Sequence, residues 1–166
     1  MREIVWVFGV SASGKETFMK SLIQSPQLAR QFGWDGRKIV ICKESLVNLG
    51  SLDESRTSII NEVSALFGTN DVVLIKWQYG DSLLQTPQKL QEMFPNAKHS
   101  IIVMNVNDTE QVKRLRTKPW WHDMGSEIEF IASENKLVNQ SVAELATTFT
   151  VIHLNASKGY TPISTQ

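Results

Sequence analysis

Short apolar runs alternate with longer amphipathic stretches along this chain. Five of the runs have the length and composition of strands that are buried on both faces. These runs are residues 4–8, 38–42, 72–75, 100–104 and 151–154. The alternation predicts a three-layer α/β/α domain around a parallel five-stranded sheet, since parallel strands need helical crossovers on the faces of the sheet. Ligands are then expected at the carboxyl ends of the strands.

Six helices are predicted between these runs. They span about 14–24, 26–32, 51–67, 88–93, 108–115 and 126–147. Ser51 and Glu54 form the capping-box pattern of a helix start. Pro87 is expected at the first position of its helix, and Asp108 or Thr109 is expected to cap the next one. The polar tail after the last apolar run is predicted to be irregular.

The loop after the first apolar run, residues 9–17, has the sequence Gly-Val-Ser-Ala-Ser-Gly-Lys-Glu-Thr. Glycines let backbone N–H groups turn inward around a phosphate, and the following helix adds a partial positive charge at its N-terminus. Lys15 can reach the outer phosphates. The sequence therefore resembles the Gly-x4-Gly-Lys-[Ser/Thr] loop of P-loop NTPases, in the strand–loop–helix context which that motif requires. The alternative is a plain strand-to-helix turn.

One position departs from the motif. Glu16 follows Lys15, where the pattern has Ser or Thr as a Mg²⁺ ligand, and Thr17 comes one place later. Adenylate kinase-like proteins share this displacement of the hydroxyl, so the chain resembles the nucleoside/nucleotide kinase-like branch. The resemblance implies a P-loop NTPase-type sheet, with ATP and Mg²⁺ as cofactors and Mg²⁺ held by Thr17 or by water. Glu16 departs from the pattern: it can help to hold the metal, or it can mark a loop that binds nucleotide without using it. The nucleotide-binding residues that the resemblance implies in this loop are Gly9, Ser11, Ala12, Ser13, Gly14, Lys15, Glu16 and Thr17.

Glu44 follows the second predicted strand. In the deoxynucleoside kinases a glutamate just past this strand acts as base toward the acceptor hydroxyl, and the resemblance implies that catalytic role for Glu44 beside Lys15. The alternative is a solvated glutamate that pairs with Lys43 or Arg37.

The third predicted strand lacks the Walker B aspartate that orients Mg²⁺. It ends in Lys76, Trp77 and Gln78, and the next carboxylate is Asp81. Lys76 and Gln78 can bind an anionic acceptor, or Gln78 can orient water. We expect Trp77 to pack in the interior, and the role of Gln78 stays open.

A basic cluster follows the fourth strand, in the position of the lid of P-loop kinases, about 113–126. The resemblance implies that Arg114 and Arg116 are catalytic and close over the transferred phosphate. The alternative is an exposed basic helix end that the helix dipole favours. Of the adjacent Trp120 and Trp121, at most one can pack inward easily, and the other can stack on a base.

The loop after the fifth strand lies along the adenine in adenylate kinase-like folds. The resemblance implies nucleotide contacts there, mostly through the backbone, by Asn155 and Ser157. His99, His122 and His153 have no partners at metal-ligand spacing, so we predict no metal site at the histidines.

Composition bounds the remaining choices. The 166 residues suit a single domain, 1–166, and 42% hydrophobic content indicates a globular chain. A net charge of zero makes nucleic acid an unexpected partner. No signal peptide or membrane span is evident, so we expect a cytoplasmic protein without a membrane partner. Cys42 is expected to pack in the interior, and five tryptophans leave room for a homo-oligomeric interface.

Two hypotheses for function follow. The first is ATP-dependent phosphoryl transfer to a small-molecule acceptor, such as a nucleoside, a nucleotide or a similar metabolite, by a P-loop kinase. The second is a non-catalytic nucleotide sensor or assembly protein with a degenerate site, which Glu16 and the missing strand-three carboxylate favour. A GTPase is not expected, because no guanine-reading Asn-Lys-x-Asp follows a predicted strand.

Overall fold

A computed structural model describes residues 1–43, 52–77, 85–121, 126–157 and 159–163, with the backbone alone at 52–55 and 162. The strands are β1 (Glu3–Gly9), β2 (Ile39–Ile41), β3 (Val72–Lys76), β4 (Lys98–Asn105), β5 (Thr150–Asn155) and β6 (Thr161–Pro162). They form one sheet in the order β2-β3-β1-β4-β5-β6. The predicted five-stranded parallel sheet is confirmed, because β1 to β5 pair in parallel.

The prediction of an irregular tail after β5 is wrong at residues 161–162. Residues Thr161–Pro162 form β6, which pairs antiparallel with β5. The Ile163 N–H then donates to the carbonyl of His153 at 2.8 Å. This short return of the chain gives partners to the outer edge of β5, which would otherwise leave its backbone groups unpaired.

The helices are α1 (Lys15–Gln24), α2 (Pro26–Arg30), α3 (Leu52–Phe67), α4 (Gln85–Met93), α5 (Asp108–Leu115) and α6 (Glu127–Leu145). All six predicted helices are present, although α4 starts before Pro87, which is therefore not its first residue. Asn107, and not Asp108 or Thr109, caps α5, because its side chain accepts from the Glu110 N–H at 2.8 Å. Ser51 lies outside the described residues. None of the described helices is long and apolar enough to cross a membrane.

The core lies on both faces of β1, whose seven residues are all buried. Ile4, Trp6 and Phe8 pack on one face with residues of α3, α4 and α6. Val5 and Val7 pack on the other face with residues of α1 and α2. The three layers follow from this two-sided burial, and the loop after β1 emerges at the middle of the sheet.

Trp77 and Cys42 are interior residues, as predicted. Trp77 is completely buried and stacks on Phe8, with 4.5 Å between the ring centroids. The backbone N–H of Trp77 donates to the carbonyl of Val7 at 3.0 Å, so the end of β3 is fixed against β1. Cys42 is buried in the same cluster of side chains.

A buried carboxylate stabilises the opposite, amino end of β1. Glu3 accepts a hydrogen bond from Trp34 Nε1 at 2.8 Å and pairs with the Arg37 guanidinium. Lys98 Nζ lies 3.7 Å from its other oxygen. Cationic partners of this kind offset the desolvation of a buried carboxylate.

Candidate functional site

The loop after β1 has a backbone that only certain residues can adopt. A Cβ at Gly9 would lie 2.5 Å from Ser13 Oγ and 3.1 Å from the Cβ of Met104, so the close approach requires glycine. Ala12 and Gly14 have φ values of 61° and 89°, in the left-handed region. Left-handed residues within a turn direct successive N–H groups into one concavity, which is the geometry of an anion-binding nest. Gly14 is also the N-cap of α1, so the helix dipole points into this concavity.

Lys15 is held within this loop. Its Nζ donates to the carbonyls of Gly9 at 2.9 Å and Val10 at 3.0 Å. The pKa of Lys15 is lowered to about 8, mainly by burial; the negative charge of Glu134 opposes this change, and the positive charge of Lys76 adds to it. An anionic ligand would favour the charged form of Lys15, because its negative charge would offset the cost of burying the ammonium group.

Two buried polar residues support the loop from below. Glu134 of α6 accepts from the Ser11 hydroxyl at 2.6 Å and from the Ser11 N–H at 3.2 Å. Gln111 of α5 donates from Nε2 to Glu134 at 3.1 Å and to the Ser11 carbonyl at 3.2 Å. The network therefore ties the loop to two helices that are distant in sequence.

Sequence reasoning missed both Glu134 and Gln111. Each lies on the apolar stripe of its helix: Glu134 is three residues after Ile131 and four before Val138, and Gln111 is four before Leu115. A polar residue on such a stripe is expected to be buried and hydrogen-bonded. That signal could have marked both residues as parts of a polar site, although not which loop they contact.

An open cleft of about 760 Å³ lies above the loop. Residues 11–17 all line it, whereas Gly9 lies behind them. The basic residues that line it are Lys15, Lys76, Lys113, Arg114 and Lys118. Among the described residues, the lining has two acidic side chains, Glu16 and Glu110, against these five cationic ones. The described lining therefore has an excess of three positive charges, which attracts polyanions.

The two predicted lid arginines lie in different surroundings. Arg114 donates from Nη1 to the carbonyl of Ala12 at 3.2 Å and from Nη2 to that of Ala156 at 2.8 Å. It joins the loop after β1 to the loop after β5. Arg116 is 65% exposed and pairs with Glu127 of α6 at 3.2 Å, outside the set of residues that line the cleft. The structure brings Arg114 to the site and leaves Arg116 beside it, and both catalytic roles stay predictions.

The side chains of Asn155 and Ser157 stabilise the turn after β5. The Asn155 side chain accepts from the Ser157 N–H at 3.0 Å, and Ser157 Oγ accepts from the Asn107 N–H at 3.0 Å. The described residues of this loop that line the cleft are Ala156, Gly159 and Tyr160. The prediction that Asn155 and Ser157 contact a nucleotide is untested. Both side chains form hydrogen bonds within the protein, so the neighbouring backbone is better placed for such contacts.

The adjacent tryptophans separate as predicted. Trp121 is buried and packs with Leu115 and Ile131, with its ring edge-to-face against Phe130 at 5.2 Å. Trp120 is 41% exposed and lines the cleft. An aromatic face is therefore available beside the basic residues.

The predicted Mg²⁺ ligands, Glu16 and Thr17, lie at the cleft, and their role as ligands stays a prediction. The Glu16 carboxylate accepts from Lys76 Nζ at 2.7 Å, and this bond holds the pKa of Glu16 below its ordinary value. Thr17 lines the cleft. Among the described residues, no group of three or more His, Cys, Asp or Glu side chains could hold a metal ion. The ammonium group that the Glu16 carboxylate already binds would repel a Mg²⁺ ion at the same carboxylate.

Several predicted site residues lie outside the described residues. They are Glu44, Gln78, Asp81 and His122. The base role of Glu44 therefore stays a prediction.

No family model and no curated protein matches the chain. Solved structures do match it over most of its length. Shikimate kinase from Acinetobacter baumannii in complex with shikimate is 11% identical, with 96% of this chain and 86% of that chain covered and a TM-score of 0.56. A chain of the PezAT chromosomal toxin-antitoxin system of Streptococcus pneumoniae is 15% identical, with 96% and 69% covered and a TM-score of 0.59.

An unliganded sugar kinase from Janibacter is 13% identical, with 94% of this chain and 86% of that chain covered and a TM-score of 0.52. At these identities the likeness concerns the fold. The parallel sheet, its helices and the match to these structures show that this chain has a P-loop, nucleotide and nucleoside kinase-like α/β fold.

Proposed function

We propose that this protein binds ATP through the loop 9–17 and transfers its terminal phosphoryl group to a small-molecule acceptor. The observation that carries the proposal is the anion-binding nest at the start of α1, which opens into a cleft whose described lining has five cationic side chains and two acidic ones. A polyphosphate has the charge and the shape that this arrangement complements.

The groups of the cleft match the demands of phosphoryl transfer, which are mainly positioning and charge neutralisation. Lys15 and the loop amides would hold the outer phosphates. Arg114 fixes the loop against the turn after β5, where the base would lie, and Trp120 offers an aromatic face near it. Glu44 would accept the proton of the acceptor hydroxyl.

The acceptor class rests on the solved structures of similar fold. One is a shikimate kinase with bound shikimate and another is a sugar kinase, both of TM-score above 0.5. Both names denote kinases of small molecules. We therefore include hydroxylated metabolites beside nucleosides and nucleotides in the acceptor set of this chain.

A second candidate function is nucleotide binding without transfer, as in a sensor or assembly protein. The Glu16–Lys76 ion pair favours it, because a P-loop enzyme normally has metal ligands at these positions. The two candidates share the nucleotide site and differ in whether an acceptor is phosphorylated.

One experiment tests both candidates. ATP binding is measured by calorimetry, and ADP release is followed with a panel of nucleosides, nucleotides and hydroxylated acids. Lys15→Ala should lose most of the ATP affinity, since its ammonium lies inside the loop, whereas Lys89→Ala removes the same charge from an exposed site on α4 and should change nothing. Acceptor-dependent ADP release supports transfer, and ATP binding without it supports the second candidate. Unchanged affinity in Lys15→Ala contradicts the loop assignment.

A further inference from the structure

Lys76 ends β3, where P-loop NTPases have the Walker B aspartate, and Glu16 directly follows Lys15, where most of them have a Mg²⁺-binding hydroxyl. The hydroxyl of this chain, Thr17, comes one place later. Because β3 is the neighbour of β1, the side chains of Glu16 and Lys76 meet, at 2.7 Å. An ammonium group is therefore anchored between the two places that usually supply metal ligands.

The position of Lys76 is fixed by the sheet. It pairs in register with Val7 of β1, and the next residue, Trp77, is completely buried against Phe8. The Lys76 side chain is 19% exposed and lines the cleft, so its stem is largely buried while the residue contributes to the wall of the site. Its charge also acts on Lys15, which places the two ammonium groups within electrostatic reach.

These charges oppose a divalent cation at this place. A Mg²⁺ ion at the Glu16 carboxylate would lie beside the Lys76 ammonium, which would repel it. The excess of three positive charges in the described lining already provides part of the neutralisation that Mg²⁺ gives a polyphosphate.

We propose that the Lys76 ammonium, held by Glu16, takes the place of the divalent cation beside the polyphosphate, so that this protein binds nucleoside triphosphates without Mg²⁺. The proposal rests on the proposed nucleotide binding and adds the cofactor requirement of that site. It replaces the Mg²⁺ site predicted at Glu16 and Thr17.

The test compares ATP affinity in EDTA with affinity in excess Mg²⁺, by calorimetry on the full chain. For the wild type, the two dissociation constants should differ by less than about threefold. Lys76→Met keeps most of the apolar stem but removes the charge, and it should weaken binding in EDTA by about tenfold or more, because a charge-assisted contact is lost. Lys89→Ala serves as the control for loss of one positive charge and should match the wild type.

A restoring variant tests the same idea in the opposite direction. Glu16→Thr combined with Lys76→Asp returns the usual ligand types to both positions, and its ATP affinity should rise about tenfold or more when Mg²⁺ is added. Circular dichroism and urea unfolding establish that each variant is folded, and the wild-type comparison needs no variant at all.

The outcomes separate this proposal from the function on which it rests. Binding by the wild type only in the presence of Mg²⁺ would overturn the role of Lys76 and leave nucleotide binding intact. Equal affinities of wild type and Lys76→Met in EDTA would overturn it as well. No ATP binding under either condition would overturn both this proposal and the proposed function.

Discussion

Two buried carboxylates, one at each end of the central strand region, differ in their partners. Glu3 lies at the amino end of β1 and is 6% exposed, and Glu134 lies beneath the loop at its carboxyl end and is 5% exposed. Glu3 is paired with two cations, Arg37 and Lys98. Among the described residues, Glu134 accepts hydrogen bonds from the N–H and hydroxyl of Ser11 and from the amide of Gln111.

The difference distinguishes a carboxylate that stabilises the fold, Glu3, from one that also acts on the candidate nucleotide site, Glu134. The charge of Glu3 is matched by permanent partners, so it needs nothing from solvent or ligand. The charge of Glu134 acts on Lys15, whose ammonium faces the loop where an anion would bind. Burial alone therefore does not mark a functional carboxylate, whereas its effect on the charge of a site residue does.

Paired substitutions, Glu134→Ala and Glu3→Ala, test this distinction most strongly. Both should lower the free energy of unfolding by about 2–4 kcal/mol, because each leaves buried donors without their acceptor. Only Glu134→Ala should also weaken ATP binding, by about tenfold, since the Ser11 backbone would lose its anchor. Urea unfolding and calorimetry measure the two effects.

A loss of ATP affinity in Glu3→Ala would contradict the distinction between the two carboxylates. If Glu3→Ala reduced ATP affinity as much as Glu134→Ala in folded protein, the two carboxylates would have the same, purely structural function. Both measurements are made well below the unfolding transition, so that loss of folded protein does not imitate loss of affinity.

The same contrast shows how far sequence reasoning reaches. The loop after β1 was predictable because its glycines and Lys15 are close in sequence and follow an apolar strand. Glu134 is 123 residues from Ser11, and a helical periodicity does not tell which loop its polar member will contact. The Glu16–Lys76 pair spans 60 residues and forms only because β3 lies beside β1. Local patterns specify elements, whereas strand order decides which polar residues meet.

Small errors at element ends have the same origin. Asn107 and Asp108 are both good capping residues, and only the course of the chain out of β4 decides between them. The strand β6 has two residues, too few to produce a sequence period.

A second pair, Arg114→Ala and Arg116→Ala, sharpens the distinction between residues that serve the site and residues beside it. Arg114 bridges the loops after β1 and β5, so its removal should weaken ATP binding by about three- to tenfold, as expected for one or two lost charge-assisted hydrogen bonds at a partly exposed site. Arg116 pairs with Glu127 at the surface, and its removal should change ATP affinity by less than about twofold.

Turnover gives a separate measure for Arg116. If the segment after α5 closes over a bound nucleotide, Arg116→Ala should lower the rate of acceptor phosphorylation while affinity stays the same. An unchanged rate would leave this arginine as an exposed helix-end residue. Equal loss of affinity in both variants would contradict the difference that the structure assigns to them.

Lys15 also contributes a pH dependence to the stability of the fold. Its pKa is lowered by burial from 10.5 to about 8, so between these values the unfolded chain binds more protons than the folded one. The free energy of unfolding should therefore rise as the pH increases through this window, because the cost of burying a charged lysine disappears. Lys15→Met, which cannot titrate, should lack this part of the rise, and urea unfolding at several pH values measures the difference.

Nucleotide binding should act on the same group in the opposite direction. A polyphosphate favours the charged lysine and raises its pKa, so ATP binding at pH 8 should take up about half a proton, the fraction missing from a group at its own pKa. Calorimetry in buffers of different ionisation enthalpy measures this uptake. Glu134→Ala removes the charge that supports protonation of Lys15, so a smaller fraction is charged beforehand and the uptake should increase, whereas Glu3→Ala should leave it unchanged. Equal uptake in all three proteins would show that Glu134 does not set the charge of the loop.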